Sequence, residues 1–201
     1  MNDVERAVAA IRTGHCAVIP TDTVYGLACS PTEEEAVLEL AALKGRSPGQ
    51  PVALLAASVE TLLELVPEVA DRTAAVVHAL LPGPYTLVLA TPGHPFRWLT
   101  PGAPDSIGVR VPALEGPGRA VLDALGAVAA TSANLHGAPN PRRLEDVPVD
   151  MRVTCATVDG GELPGTPSTV LDLTGDAPRV LREGAVPATD ALARVAAALA
   201  G

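Results

Sequence analysis

The stretch Cys16-Ala17-Val18-Ile19-Pro20-Thr21-Asp22-Thr23-Val24-Tyr25-Gly26-Leu27 places polar side chains between two apolar runs. The first run is short and continuous, which predicts a buried strand. Two hydroxyls and a carboxylate follow at its end, where open α/β sheets commonly bind their ligands. The Asp22 and Thr23 side chains could equally bond to nearby backbone and stabilise a turn. The stretch therefore predicts a strand whose end either binds a ligand or forms a self-bonded turn.

The elements around this stretch mix helices and strands. Apolar spacing predicts helices over residues 4–13, 32–44, 58–65, 67–81, 119–125 and 189–199. Strands are predicted over 52–56, 85–89, 106–112, 128–130, 153–158, 168–173 and 179–181. Thr32 and Glu35 have the spacing of a capping box at the second helix. Because the elements do not alternate strictly as βαβ units, we expect an α+β fold with a mixed α/β sheet.

Length, charge and cysteine content limit the possible functions. The 201 residues are 48% hydrophobic, enough for one sizeable core. A net charge of −9 is opposite to the basic footprint of nucleic-acid-binding proteins, so we expect weak or no direct nucleic-acid binding. No apolar run approaches the roughly 18 residues of a membrane span, and the N-terminus has no signal-peptide pattern. A cytoplasmic protein without membrane contact is expected.

The three cysteines, Cys16, Cys29 and Cys155, are widely spaced and form no C-x-x-C motif. This spacing argues against a disulfide framework or a zinc site. We expect the thiols to be buried as small hydrophobic side chains.

Lys44 is the only lysine among fourteen basic residues. It is followed at once by Gly45 and Arg46, in a loop rich in glycine and proline. Two cations on one loop can converge on a single anion, and a lysine provides a compact charge for one phosphate oxygen. The alternative is a solvated lysine at a helix C-terminus, where the helix dipole favours it.

Other strand ends also carry polar groups. Thr131-Ser132-Ala133-Asn134 follows one predicted strand, and Thr166-Pro167-Ser168-Thr169 begins another. Arg110 lies among apolar residues of a third, either on the polar face of an alternating strand or buried against an anion. The sequence contains no H-E-x-x-H, G-x-S-x-G or G-x-x-x-x-G-K-[ST] motif. These features favour a site that neutralises phosphate charge and positions reactants.

Six motifs of this sequence occur together, in order, in one known family. They are Pro20-Thr21-Asp22-Thr23-Val24-Tyr25-Gly26, Lys44-Gly45-Arg46, Pro82-Gly83-Pro84 with Thr86, the strand from Ser106 to Val111, Thr131-Ser132-Ala133-Asn134, and Pro167-Ser168-Thr169. In this respect the chain resembles the YrdC family, and specifically its short, bacterial members. The resemblance implies a single domain over residues 1–201 with an open, twisted mixed sheet and a concave active-site groove. It also implies an L-threonylcarbamoyladenylate synthase, a nucleotidyltransferase that uses L-threonine, bicarbonate and ATP in tRNA modification.

The resemblance also assigns roles to individual residues. It implies that L-threonine is bound by Thr23, Arg110, Ser132 and Ser168. It implies that ATP is bound by Lys44, Arg46, Gln50, Asn134, Arg142 and Arg182, with Thr86 nearby. Lys44 and Arg46 would be the catalytic residues. Magnesium would be carried by ATP without protein side-chain ligands, and the product would be handed to a tRNA threonylcarbamoyl-transfer complex.

The chain departs from the family pattern at two places. Ser47 and Pro48 shift the proline that often follows the Lys-x-Arg motif, and Leu55 stands where some members have a histidine. Two other functions remain open at this point. One is a domain that forms a carbamoyl-adenylate from carbamoyl phosphate, and the other is a non-catalytic module that binds double-stranded RNA or the ribosome.

Overall fold

One mixed sheet organises the chain in the computed structural model, which describes residues 1–45, 49–69 and 71–200. The helices within these residues are Asp3–Arg12 (α1), Glu34–Leu43 (α2), Val59–Leu65 (α3), Asp71–Leu80 (α4), Gly116–Leu125 (α5), Val149–Thr154 (α6) and Ala188–Ala200 (α7). The strands are Ala17–Pro20 (β1), Tyr25–Cys29 (β2), Ala53–Ala56 (β3), Tyr85–Ala90 (β4), Ser106–Arg110 (β5), Ala127–Ser132 (β6), Ala156–Thr157 (β7), Thr169–Asp172 (β8) and Arg179–Arg182 (β9). Short 3-10 helices cover Arg97–Leu99 and Leu144–Asp146.

The sheet combines parallel and antiparallel pairs. Among the described strands its order is β7-β1-β2-β6-β3-β5-β4-β8-β9. The β1–β7, β3–β5 and β4–β8 pairs are parallel, and the other neighbours are antiparallel. This arrangement confirms the predicted mixed α/β sheet. Strands that are neighbours in space, such as β3 and β6, are often far apart in the chain.

Helices cover the two faces of the sheet unequally. The larger core packs α2, α3, α4 and α7 against one face of the sheet. On the opposite face a smaller core joins α1 and α5 to β1, β2, β3 and β6. In the described part of the chain, neither α1 nor α5 extends over β5, β4 and β8 on that face. The uncovered surface forms most of the floor of a groove, which continues onto β3 and β6.

The burial of each strand reflects this arrangement. All four residues of β1 and all five of β2 are buried, as expected for strands with cover on both faces. In β5, Ile107 and Val109 are fully buried in the larger core, whereas Ser106 and Gly108 on the other face are partly exposed. β4 and β8 show the same alternation over part of their length. The groove therefore lies where strands have one covered and one open face.

Three local predictions were wrong. Helix α2 begins at Glu34 after an N-cap, Glu33, that makes no side-chain capping bond, and the Thr32 hydroxyl bonds to Ser30 at 3.0 Å instead. Of the strand predicted over 153–158, Val153 and Thr154 instead end helix α6, and only Ala156–Thr157 form a strand, β7. Val153, at the start of the predicted strand, is exposed, whereas Val158 at its end is buried. The helix predicted from residue 67 begins at Asp71.

Candidate active site

The groove has a volume of about 520 Å³. Its floor is made of small and apolar residues from five adjacent strands: Ala53, Leu55, Thr86, Val88, Gly108, Ala130 and Val170. Polar residues stand around it: Thr21, Thr23, Gln50, Thr100, Arg110, Thr131, Ser132, Asn140, Ser168 and Arg182. An apolar floor with a few convergent polar groups is typical of a small-molecule site.

Arg110 is the buried cation of this groove, with 7% of its surface exposed. Its Nη2 atom donates to the Asp22 carboxylate and, at 3.0 Å, to the Thr23 hydroxyl. The second Asp22 oxygen accepts a hydrogen bond from the Ala113 backbone N–H at 3.1 Å. The buried Nε atom of Arg110 has no hydrogen-bond partner among the described residues. Asp22 and Thr23 therefore fix the Nη2 atom, while Arg110 lines the groove.

The electrostatics of Arg110 follow from these contacts. Burial lowers the pKa of Arg110, the Asp22 carboxylate opposes that change, and the Arg182 guanidinium adds to it. Burial also lowers the pKa of Arg182. Two guanidinium groups close enough to repel each other give the groove a positive potential that favours an anion.

A second polar group lies on the side of the groove formed by β4, β8 and β9. The Thr86 and Ser168 hydroxyls are 2.8 Å apart. Arg182 donates through Nη2 to the Ser168 carbonyl at 2.9 Å and to the Ser168 hydroxyl at 3.2 Å. Because strands β4, β8 and β9 are neighbours in the sheet, these three side chains meet although they are far apart in the chain.

Lys44 lies at the end of α2, beneath the loop that follows β6. It is 1% exposed and is not among the residues that line the groove. Its Nζ atom donates to the Asn134 carbonyl at 2.8 Å, to the Asn134 side-chain oxygen at 3.1 Å and to the Ser132 carbonyl. The Ser132 hydroxyl donates to the same Asn134 side-chain oxygen at 2.6 Å. The solvated alternative is wrong, and direct phosphate contact by Lys44 stays a prediction.

The remaining candidate residues are placed unequally. Gln50 lines the groove, whereas Arg142 is exposed, forms an ion pair with Glu162 at 2.9 Å and does not line the groove. Asn134 is buried within the loop that follows β6. Arg46 lies outside the described residues, as does the shifted Ser47-Pro48 pair. The groove thus unites Thr23, Gln50, Arg110, Ser132, Ser168 and Arg182 from distant parts of the sequence.

Asp22 was not among the candidate binding residues, although it positions Arg110. In the sequence, Asp22 is the only carboxylate between the hydroxyls of Thr21 and Thr23, and this position was the signal that could have identified it as a site residue. Its partner Arg110 is 88 residues away, so the ion pair itself has no local sequence pattern. Both interpretations of Arg110 from the sequence are confirmed. Its side chain lies on the open face of β5, and it is also buried against the carboxylate of Asp22.

Among the described residues, no group of three or more His, Cys, Asp or Glu side chains could hold a metal ion. In the same part of the chain, no helix is both long and apolar enough to cross a lipid bilayer. Cys16 and Cys29 are buried as expected, and Cys155 is half-buried.

A mixed sheet whose open face carries a groove bordered by Arg110 and Arg182 defines an α/β domain with a groove suited to an anion. The family model Sua5_yciO_yrdC, described as telomere recombination, matches residues 9–184. The chain belongs to this family, which confirms the resemblance found in the sequence motifs.

Curated relatives carry a more specific name. A threonylcarbamoyl-AMP synthase of Vibrio campbellii is 32% identical over 192 residues, which cover 92% of this chain and 100% of the relative. A threonylcarbamoyl-AMP synthase of Pyrococcus abyssi is 36% identical over 184 residues, which cover 90% of this chain and 54% of the relative. This chain therefore spans about half the length of the archaeal relative.

Solved structures share the fold. Pyrococcus abyssi Sua5, complexed with L-threonine, has a TM-score of 0.82 and 32% identity, over 94% of this chain and 57% of that one. Escherichia coli YciO has a TM-score of 0.82 and 28% identity, over 94% of this chain and 92% of that one.

Proposed function

We propose that this protein is an L-threonylcarbamoyladenylate synthase, a nucleotidyltransferase that makes threonylcarbamoyl-AMP and pyrophosphate from L-threonine, bicarbonate and ATP. The observation that carries the proposal is the buried Arg110 guanidinium, held by Asp22 and Thr23 with its Nε atom lacking a described partner. An arginine fixed on one side is suited to bind a carboxylate on the other. The P. abyssi relative, solved with L-threonine, supports an amino acid as that ligand.

In the proposed reaction, the threonine amine first adds to bicarbonate-derived carbon, with loss of water, to give a carbamate. A carbamate oxygen then attacks the α-phosphorus of ATP, and the bond to the pyrophosphate leaving group breaks. Both reactants are anions, so fixed positive charge has to offset their repulsion. Arg182, which borders the groove and is turned toward Ser168, is the described cation best placed for the phosphate side.

The remaining candidate roles complete this scheme. Thr23, Ser132 and Ser168 supply hydroxyls for L-threonine, and Gln50, Asn134, Arg142 and Arg46 stay candidates for the nucleotide. Lys44 bonds to the loop that carries Ser132 and Asn134. We expect Lys44→Ala to depress turnover more than L-threonine affinity, because its positive charge would matter most as charge builds on the phosphates. Arg142 could reach ATP only by exchanging its ion pair with Glu162 for the nucleotide.

Magnesium fits this groove as a companion of ATP. Mg²⁺ usually keeps several waters and binds through substrate phosphates and few protein carboxylates. The polar groups around the groove are hydroxyls, amides and arginines, and the one nearby carboxylate, Asp22, is already paired with Arg110. Bound with ATP, Mg²⁺ would neutralise charge on the phosphates. The protein's own part is to orient the two anions and exclude water.

We further propose that the enzyme acts in the cytoplasm and passes its product to a tRNA threonylcarbamoyl-transfer complex. The net charge of −9 disfavours binding of this protein to tRNA, so a separate complex would supply the contact with tRNA.

Pyrophosphate release with each substrate omitted in turn tests the proposal. We expect release only when L-threonine, bicarbonate and ATP are all present, because the carbamate has to form before adenylation. Release from ATP and added carbamoyl phosphate, without L-threonine, would instead indicate the carbamoyl phosphate reaction. Binding of structured RNA at physiological salt would reopen the RNA-binding alternative.

A comparison of L-threonine, L-serine and L-valine tests the amino-acid site. Serine lacks one methyl group and should lose about 10- to 200-fold in kcat/KM, whereas valine leaves buried hydroxyls unpaired and should be nearly inert. Arg110→Lys keeps a charge but loses the planar fork, so kcat/KM should fall for all three with their ranking kept. Arg119→Lys, on the exposed face of α5, is the matched control and should leave the values unchanged. If the kcat/KM ranking of the three amino acids changes in Arg110→Lys, then Arg110 does not bind the substrate carboxylate.

A further inference from the structure

Gly108 lies in the centre of the groove floor, on β5 between Ser106 and Arg110. It is half-buried and faces the groove, whereas its neighbours Ile107 and Val109 are fully buried on the other face. The centre of the floor is therefore bare backbone.

The backbone conformation at this position does not require glycine. Gly108 is absent from the glycines with positive φ and pairs regularly with Val88 in the antiparallel β4–β5 ladder. A glycine in a strand interior weakens the strand, and it often marks a place where a ligand or another backbone approaches closely. No backbone approaches here, because a Cβ atom built on Gly108 would meet only the Thr86 methyl carbon, at 3.8 Å. The open space above Gly108 therefore belongs to the groove.

The residues around Gly108 limit what can occupy this space. Ala53 and Ala130, paired across β3 and β6, continue the floor with small side chains, and Val88 stands on the opposite side. Arg110 follows Gly108 by two residues on the same face, a spacing of about 7 Å in a strand. Arg110 lines the groove, and its guanidinium favours an anionic group at the neighbouring end of the space.

We propose that Gly108 is a specificity-determining position that receives the side chain of the amino-acid substrate. This inference rests on the proposed function, in which Arg110 holds the substrate carboxylate. An amino acid anchored there has only a few carbon atoms to place over the floor, and the side-chain-free surface of Gly108 gives room for a branched Cβ. A methyl group at position 108 would occupy the space that the methyl group of L-threonine fills.

The test is Gly108→Ala, assayed by kcat/KM with L-threonine and L-serine. The added methyl group should lower kcat/KM for threonine about 10- to 100-fold and for serine by less than about threefold, since one methyl group of pocket space is worth 10- to 200-fold. The preference for threonine over serine should shrink accordingly. L-threonine binding, measured by calorimetry without ATP, should weaken by a similar factor.

Gly175→Ala is the matched control, because Gly175 is exposed in the β8–β9 turn and a Cβ atom there meets nothing within 4 Å. It should change neither substrate's kcat/KM. The thermal midpoint of Gly108→Ala should be no lower than that of the wild type, because its added Cβ makes only an ordinary contact. If this variant does not fold, Val88→Leu narrows the same space from β4 and should reduce the same preference.

Two results would overturn the proposal while leaving the proposed function intact. Equal losses of kcat/KM for threonine and serine would mean that another part of the substrates, such as the carbamate or nucleotide, lies over Gly108. Unchanged kinetics would mean that no substrate approaches it. Failure of the proposed function is distinguishable, because the wild type would then release pyrophosphate without L-threonine or not at all.

Discussion

The two halves of the sheet are built from similar strands but differ in what covers them. In the covered half, β1, β2, β3 and β6 lie between the two helical layers, and nearly every residue is buried. In the groove half, β4, β5 and β8 are covered on one face only, and their other face carries Thr86, Gly108, Arg110 and Val170. This difference shows that the groove forms where the layer made by helices α1 and α5 ends. The covered half supplies rigidity together with Thr23 and Ser132, whereas the groove half supplies Thr86, Arg110 and Ser168.

The Asp22–Arg110 ion pair joins the two halves, and breaking it should have the largest effect. Asp22→Ala leaves the buried guanidinium without its anionic partner, which costs about 3–5 kcal/mol of unfolding free energy. Urea unfolding measures this loss. Asp123→Ala, which breaks the exposed Arg119–Asp123 pair, should cost less than about 1 kcal/mol. Similar costs for the two variants would show that the halves are not joined through this pair.

High pH tests how firmly the covered half is held together. Burial raises the pKa of Tyr25 to about 12, and its hydroxyl bonds to Asp159 at 3.0 Å and to the Gly161 carbonyl at 2.8 Å. Because the folded state retains this proton more tightly, the stabilisation is complete below pH 10 and is lost as the pH rises from 10 to 12. The shift corresponds to a loss of about 2–3 kcal/mol. In Tyr25→Phe, unfolding free energy should be lower at pH 8 and should fall less between pH 10 and 12. An equal alkaline slope in both proteins would assign the loss to other groups.

A matched pair of valines compares the halves directly. Val128→Ala, in β6 beneath the α1–α5 layer, should lower the unfolding free energy by about 2 kcal/mol. Val88→Ala, in the groove floor, should cost less than about 1 kcal/mol because its side chain is only partly buried. Kinetics should show the reverse order, with a larger change in the KM for L-threonine in Val88→Ala. Equal stability costs would contradict the division into covered and groove halves.

Local sequence patterns predicted most elements but not their arrangement. Apolar runs marked most of the longer strands, and Ser58 caps α3 as predicted by accepting a bond from the Thr61 backbone at 3.1 Å. The strand order depends on pairings across long stretches of chain, such as β3 with β6, and no local pattern records them. The sequence pattern missed the short helix α6 and predicted its exposed Val153 as the start of a strand. A single domain over residues 1–201 stays a prediction.

The candidate site was predictable in part for a similar reason. Hydroxyls at strand ends and an arginine inside a strand are visible in the sequence, and the groove brings Thr23, Arg110 and Ser168 together. The partner of each group is not visible. Asp22 meets Arg110, and Lys44 meets the carbonyls after β6, only once distant segments have folded. The charge of each candidate side chain could be inferred from the sequence, whereas the orientation of that side chain depends on tertiary contacts.

The order of the strands also has a consequence for the timing of synthesis. The groove needs β4 and β5 beside β8 and β9, whose residues lie up to 97 positions further along the chain. Long-range pairing of this kind is slow, because the chain loses conformational entropy on loop closure before the stabilising contacts form. A nascent chain can therefore assemble β1 and β2 early, but it lacks Ser168 and Arg182 until those residues have been made. We expect refolding to recover β-sheet signal before the capacity to bind L-threonine, so that the ability to react is acquired last.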